Sequence, residues 1–202
     1  MAAKESKFYF IGGQLSLDFV NTEVGSADFL SDFSDFVAWL QQAQVLDAAQ
    51  AEAALGAWGR RPEAKQVLAS ARELRAAVRE IAQRLSTGKS VTPASIDAIN
   101  RVLAHESGYH QLMRVRGGYE FQFHPQQRQA AHLVTPIAKS AADLVRDSEP
   151  LRIRRCGNPA CTLYYYDTSK NRTRRWCSMA LCGNRMKAAA FYQRTQKNKA
   201  KD

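Results

Sequence analysis

Four cysteines constrain this chain more tightly than any other feature of it. Cys156 and Cys161 are separated by four residues, as are Cys177 and Cys182, and fifteen residues lie between the two pairs. Two equal, closely spaced pairs suit a metal that takes four soft ligands in a tetrahedron, as zinc does with thiolates at about 2.3 Å. Gly157-Asn-Pro159 supplies the turn chemistry needed between the first two ligands. Two other thiol chemistries compete, a disulfide framework and an iron–sulfur cluster. The N-terminal residues Met1 to Lys7 lack the apolar stretch of a secretion signal, so the expected compartment is the reducing cytoplasm, where disulfides are rare. The spacing also fits neither common ferredoxin pattern. A closed four-thiolate site leaves no open coordination position, so one structural zinc ion per chain is expected.

Charge gathers around the same residues. Residues 151–202 hold 13 Lys and Arg against 2 Asp and Glu, whereas residues 1–150 hold 16 against 17, so the formal +10 of the chain comes entirely from its last quarter. Such a cationic segment is matched to the phosphates of a nucleic acid. The candidate nucleic-acid-binding residues are Lys170, Asn171, Arg172, Arg174 and Arg175 between the cysteine pairs, and Arg185, Lys187 and Arg194 after them, with Lys197, Lys199 and Lys201 as a tail. A solvated face is the plainer reading of some of these. Arg185 is equally suited to donate to a cysteine sulfur or a loop carbonyl. Trp176 and Tyr164 to Tyr166 suit base stacking, but adjacent aromatics in so small a module more often form its core, the reading favoured here for Trp176.

Between the pairs, Leu163-Tyr-Tyr-Tyr166 and Thr173-Arg-Arg-Trp176 flank the polar stretch 167–172, which predicts a zinc-pinned β-hairpin with that stretch as its turn. A helix capped by Ser178 follows. This order is that of a treble-clef-like zinc finger, with too few apolar residues to fold without metal.

Upstream, the hydrophobic pattern is mostly helical. Apolar residues at steps of three and four predict helices over 34–44, 47–57, 63–86, 93–103 and 126–146. Ser34 and Asp35 offer cap chemistry to the first, Gly88 closes the third, and Thr92-Pro93 opens the fourth. Residues 113–123 alternate instead, with Gly117-Gly118 in the middle, and predict a β-hairpin. Phe8 to Ile11 reads as a strand, Gly12-Gly13 as a sharp turn, and Leu15 to Val20 as a second strand or the start of a helix. Residues 147–150 form a linker. The expected fold class is therefore α+β: a mostly helical domain over 1–148 with small antiparallel β elements, then a four-cysteine zinc finger over 149–202.

No run of about 18 apolar residues is present, which gives no expectation of a membrane partner. His105, His110, His124 and His132 show no metal-ligand spacing, and no P-loop, nucleophile elbow or dinucleotide glycine pattern occurs, so no enzyme is expected. Asp18 and Glu23, near Gly12-Gly13, suit either a ligand pocket or the orientation of the turn.

Arg174-Arg-Trp-Cys-Ser-Met-Ala-Leu-Cys-Gly-Asn-Arg185 resembles the signature of the CGNR zinc finger family. Cys156-Gly-Asn-Pro-Ala-Cys161 and Asp167-Thr-Ser-Lys-Asn-Arg172 match its other half, with no departure at the four ligands or in Cys182-Gly-Asn-Arg185. Gly12-Gly13 through Leu17-Asp-Phe-Val-Asn-Thr22 resembles the ABATE domain that precedes such fingers. The resemblance implies a bacterial, stress-linked transcription regulator whose finger binds DNA. Duplex DNA is the expected partner of the cationic segment, and in a regulator the roughly neutral first domain would sense a small-molecule effector or form a homodimer. RNA binding and protein interaction remain alternatives, because the same charge serves them.

Overall fold

The computed structural model describes residues 7–126, 129–147 and 149–199. In chain order the elements are α1 (Leu15–Val20), β1 (Glu23–Val24), β2 (Ala27–Asp28), α2 (Phe33–Gln42), α3 (Ala48–Trp58), α4 (Pro62–Ser86), α5 (Pro93–Leu103), β3 (Gly108–Val115), β4 (Gly118–Pro125), α6 (Thr135–Asp147), β5 (Ile153–Arg155), β6 (Tyr164–Tyr166) and α7 (Asn184–Lys199). The strands form three two-stranded antiparallel sheets, β1–β2, β3–β4 and β5–β6. The α+β class with small antiparallel sheets is as expected.

Six residues are too few for a helix to persist on propensity alone, and α1 is held by what surrounds it. Leu17, Phe19 and Val20 are fully buried and the helix lies against α4, α6 and β6. The turn before it needs both glycines. Gly13 has φ +76°, and a Cβ on Gly12 would lie 2.8 Å from the Asp18 nitrogen and the Leu17 Cβ. The Gly12 N–H donates to the Asp18 carboxylate at 2.6 Å, so Asp18 orients the turn. Burial pushes the Asp18 carboxyl up to about 6, against the lowering effect of the Gly12 and Ile11 backbone.

Around α1 the caps select the helix starts. Asp32 accepts from the Asp35 nitrogen and starts α2 at Phe33, ahead of the expected Ser34. Asp47 and Gln50 form a reciprocal capping box on α3, and Thr92 caps α5. The stripe Val67, Ala71, Leu74, Val78, Ile81 and Leu85 of α4 is buried, as its period requires. Its arginines are not all on a solvated face. Arg75 is buried and makes a bidentate pair with Asp28 at 2.8 and 2.7 Å, plus a bond to the Thr22 hydroxyl at 2.9 Å. Arg79 donates to the Val20 carbonyl at 2.8 Å. Together they clamp the short β1–β2 hairpin, which sequence reasoning missed. Burial raises the Asp28 carboxyl, but the Arg75 bonds outweigh it and hold it below the usual range.

Three expectations are corrected. Residues 8–11 pair in no ladder; the strand-like bond from the Tyr166 N–H, at 2.7 Å, reaches the carbonyl of Gly12, just after the segment. The helix expected over 126–146 is broken: a 3-10 turn spans Ala130–Leu133 and α6 restarts at Thr135, because Pro136 cannot sit in a helix interior. Residues 127–128 lie outside the described residues. The β3–β4 hairpin is longer than expected and turns at Arg116-Gly117, with Gly117 at φ +100°, since Gly118 already pairs with Val115.

Asp18 gives a signed pH prediction. With a folded value of about 6 above an ordinary 3.8, the group opposes folding as it ionises. Its penalty begins above pH 3.8 and is complete above pH 6, where it amounts to about 3 kcal/mol. Asp18→Asn lacks this dependence, so denaturant titrations from pH 4 to 7 are expected to show the variant gaining stability relative to the wild type as pH rises. Parallel profiles would refute the assignment.

Candidate metal centre and nucleic-acid interface

Both ligands of the first pair hang from one hairpin. Cys156 follows β5 directly, Cys161 stands shortly before β6, and the ladder pairs Ile153 with Tyr166, Arg154 with Tyr165 and Arg155 with Tyr164. This corrects the expected hairpin: the partner of 164–166 lies upstream, and 173–176 is not a strand. Asp167 is the physical reason. Fully buried, it accepts from the Ser169 nitrogen (2.9 Å), the Ser169 hydroxyl (2.6 Å) and the Arg174 nitrogen (3.1 Å), folding 167–174 into a closed loop instead of a returning strand. Burial raises this carboxyl, yet the Ser169 and Arg174 bonds prevail and hold it low. Within the loop Arg172 takes φ +53°.

The hairpin is fixed to the first domain by Asn21. Its amide donates to the Tyr164 carbonyl at 2.8 Å and accepts from the Tyr164 N–H at 2.9 Å, standing in for a third strand. Ile153 and Tyr164 enter the core of the first domain, whereas Leu163 and Tyr165 pack with the cysteines.

The second pair is presented by a helix start. Ser178 accepts from the Leu181 nitrogen at 3.1 Å, a wide helical turn spans Met179–Gly183, and α7 continues from it. All four cysteines are buried, and their sulfurs lie within 4.8 Å of one another. Cys161 and Cys177 Sγ are 3.9 Å apart, close to the edge of roughly 3.8 Å that a tetrahedron of ~2.3 Å metal–sulfur bonds requires. Two of the buried thiols resist ionisation: burial pushes Cys161 up to about 11 and Cys177 up as well, whereas at Cys182 burial is outweighed by the bonds from Asn158 and the neighbouring thiols, which hold the thiol below its usual value. A dication reverses the preference of the raised pair, taking thiolates and releasing protons. Two N–H groups already point at sulfur, from the Asn158 amide to Cys182 (3.3 Å) and from the Cys177 backbone to Cys156 (3.4 Å). The donor set fits one structural zinc. Among the described residues it is the one cluster of three or more Cys, His, Asp or Glu with converging ligand atoms.

The aromatics between the pairs are structural. Trp176 is half-buried against the cysteine cluster, and its indole lies where a Cβ on Gly157 or Gly183 would come within 3.2 Å or 3.1 Å. Tyr165 is fully buried, donates to the Arg174 carbonyl at 2.7 Å and has its phenol pushed up to about 12, chiefly by burial.

The cations divide sharply. Arg174 is committed internally: it lies over the Tyr165 ring at 4.1 Å and donates to the carbonyls of Trp176 (3.1 Å), Ile11 (3.2 Å) and Cys177. Glu149 pairs with Arg152 (3.0 Å) and Arg172 (2.7 Å), and Asp167 with Arg154 (3.7 Å). Lys170, Arg175, Arg185, Lys187 and Arg194 are exposed, and among the described residues none of them forms an ion pair. Asn171 is exposed beside Lys170. Among the described residues Arg185 makes neither the sulfur nor the carbonyl bond considered for it. Arg155, next to the first ligand, shares this exposed, unpaired state and was missed, because only the folded position of Asp167 shows that Arg154 is engaged and Arg155 is not. Helix α7 contains no acidic residue, and its Phe191 and Tyr192 are 61% and 67% exposed. The backbone of α7 includes 197 and 199, while Lys201 lies outside the described residues.

Comparison with known proteins agrees with this layout. Residues 13–148 match the ABATE family, described as "Putative stress-induced transcription regulator", and residues 152–195 match the CGNR zinc finger. A search of curated proteins finds no match. No helix among the described residues is long and apolar enough to cross a membrane.

Two substitutions separate metal from loop. Cys177→Ser is expected to lower bound zinc well below one per chain by elemental analysis and to weaken the fold. Asp167→Ala should leave zinc at one per chain yet cost about 3 kcal/mol, because the donors of Ser169 and Arg174 lose their buried acceptor. Equal zinc in the wild type and Cys177→Ser would overturn the ligand assignment.

Proposed function

We propose that this chain, which belongs to the ABATE family and carries a CGNR zinc finger, is a transcription regulator that grips duplex DNA through its finger. The carrying observation is the set of exposed cations without ion pairs: Arg155, Lys170, Arg175, Arg185, Lys187 and Arg194. The acids near the finger, Glu149 and Asp167, are already occupied by Arg152, Arg154 and Arg172. The remaining positive charge is therefore available to displace condensed counterions from phosphates. Zinc holds the loops that carry these residues and takes no part in chemistry, so the function is binding and not catalysis.

The first domain acts as sensor. A cavity of about 180 Å³ lies where Val45, Leu46, Leu133 and Pro136 supply apolar walls and Gln50, His132 and the Glu106–Lys139 pair supply polar groups; this is smaller than the roughly 300–1,000 Å³ of drug-sized ligand pockets and is sized for a very small effector. Burial lowers the His132 imidazole, so a neutral ring faces this site near pH 7.

The test is anisotropy of the full, zinc-loaded chain with labelled random and genomic duplexes as salt rises. Affinity is expected to fall steeply, with a slope of about −0.9 for each phosphate contacted. Lys170→Gln, Arg175→Gln and Lys187→Gln should each reduce the slope by about one if that residue contacts a phosphate. Undetectable binding at low salt would overturn the reading, and so would preference for structured RNA in direct competition.

A further inference from the structure

The β3–β4 hairpin takes no part in the metal centre, the cation set or the effector cavity. Its register runs unbroken from Gly108 opposite Pro125 to Val115 opposite Gly118. Strand alternation puts His110, Leu112 and Arg114 on one face with Tyr119 and Phe121, where Leu112 opposes Phe121 and Arg114 opposes Tyr119. On that face Leu112, Tyr119 and Phe121 are 65%, 71% and 70% exposed. The His110 ring stacks on Phe121 at 4.8 Å with the planes 6° apart, so these two rings lie flat against each other.

We infer that this face is a homodimer interface whose occupant is the same face of a second copy. A solitary two-stranded hairpin is marginal in water and needs a surface to pack on; among the described residues its own chain covers little of this face. The area suffices. Large side chains of this kind carry about 150–250 Å² each, so three of them two-thirds exposed, with the flanking His110 and Arg114, offer on the order of 500 Å² per chain. A symmetric pair then buries about 1,000 Å², the threshold for a specific interface.

The pattern is also self-complementary, as a two-fold interface demands. Leu112 and Phe121 lie at the middle, Arg114 and Tyr119 toward the tip, and His110 toward the base. A two-fold axis through the middle sets the apolar pair on its own copy. It also sends the Arg114 side chains to opposite ends, each toward the partner's His110 end instead of the like charge. A nucleic acid is the poorer occupant, because Arg114 is the one lysine or arginine among these residues. The inference stands independently of DNA binding.

Sedimentation velocity on the full zinc-loaded chain, from about 1 to 100 µM, tests it. The wild type is expected to form a dimer. Leu112→Asp and Phe121→Asp should each weaken dimerisation at least 100-fold while zinc content and far-UV circular dichroism stay unchanged, since both side chains stand outside the core. Tyr109→Ser, on the opposite face, should dimerise as the wild type does. A wild type that stays monomeric at 100 µM would overturn the inference, as would Asp variants that dimerise normally. So would a monomer whose hairpin instead binds phosphatidylcholine vesicles.

Discussion

Strand β6 has two faces and a different core against each, and the arrangement of the chain depends on that alternation. Tyr164 and Tyr166 turn toward the helical domain, while Leu163 and Tyr165 turn toward the cysteine sulfurs. The segment before α1 repeats the pattern: Phe8 enters the helical core and Phe10 stacks on Trp39, whereas Tyr9 and Ile11 pack on the metal cluster. A period of two, ordinarily a device for separating core from solvent, here separates one core from another. Asn21 makes this possible by satisfying both backbone groups of Tyr164, which a buried strand edge would otherwise leave unpaired. The finger thus obtains from its neighbour the apolar surface that a module of its size lacks.

Much of this was legible from the sequence, and what was not has a common cause. The helices α4 and α5 announced themselves through period and through Thr92-Pro93, because those signals act within a turn or two of the chain. The four ligands were equally plain, since thiolate spacing is itself local. The pairing of β6 was not. Segments 163–166 and 173–176 have similar strand composition, and the choice between partners rests on a buried carboxylate and on Asn21, which is 143 residues from Tyr164. Arg75 was hidden for the same reason: on a helical wheel it is one more charged residue, and only the fold sets Asp28 opposite it. Pro136 is the counterexample, a local signal that the structure obeys, although in the sequence the apolar period running through it hides the break.

The charge of the finger also changes meaning once the residues are placed. A formal excess counts Arg174 with Lys170, yet Arg174 spends its donors on Ile11, Trp176 and Cys177 and belongs to the scaffold. The acids remove others selectively, and what remains flanks the first ligand, tops the Asp167 loop and lines α7. Asp167 therefore has two consequences from one position. It turns the chain away from a β ladder, and it holds Lys170 and Asn171 out on the resulting loop.

The bonds that join finger to domain at Asn21, Gly12, Gly25 and Arg174 have a geometric consequence. They come from separate points of the chain and engage separate points of the finger, so the finger is not a bead on a tether but a fixed jaw. In a symmetric pair of such chains the distance between the two jaws would be a property of the folded domains. If both fingers bind DNA, such a pair would tell two sites apart by how far they stand from each other as well as by what they contain.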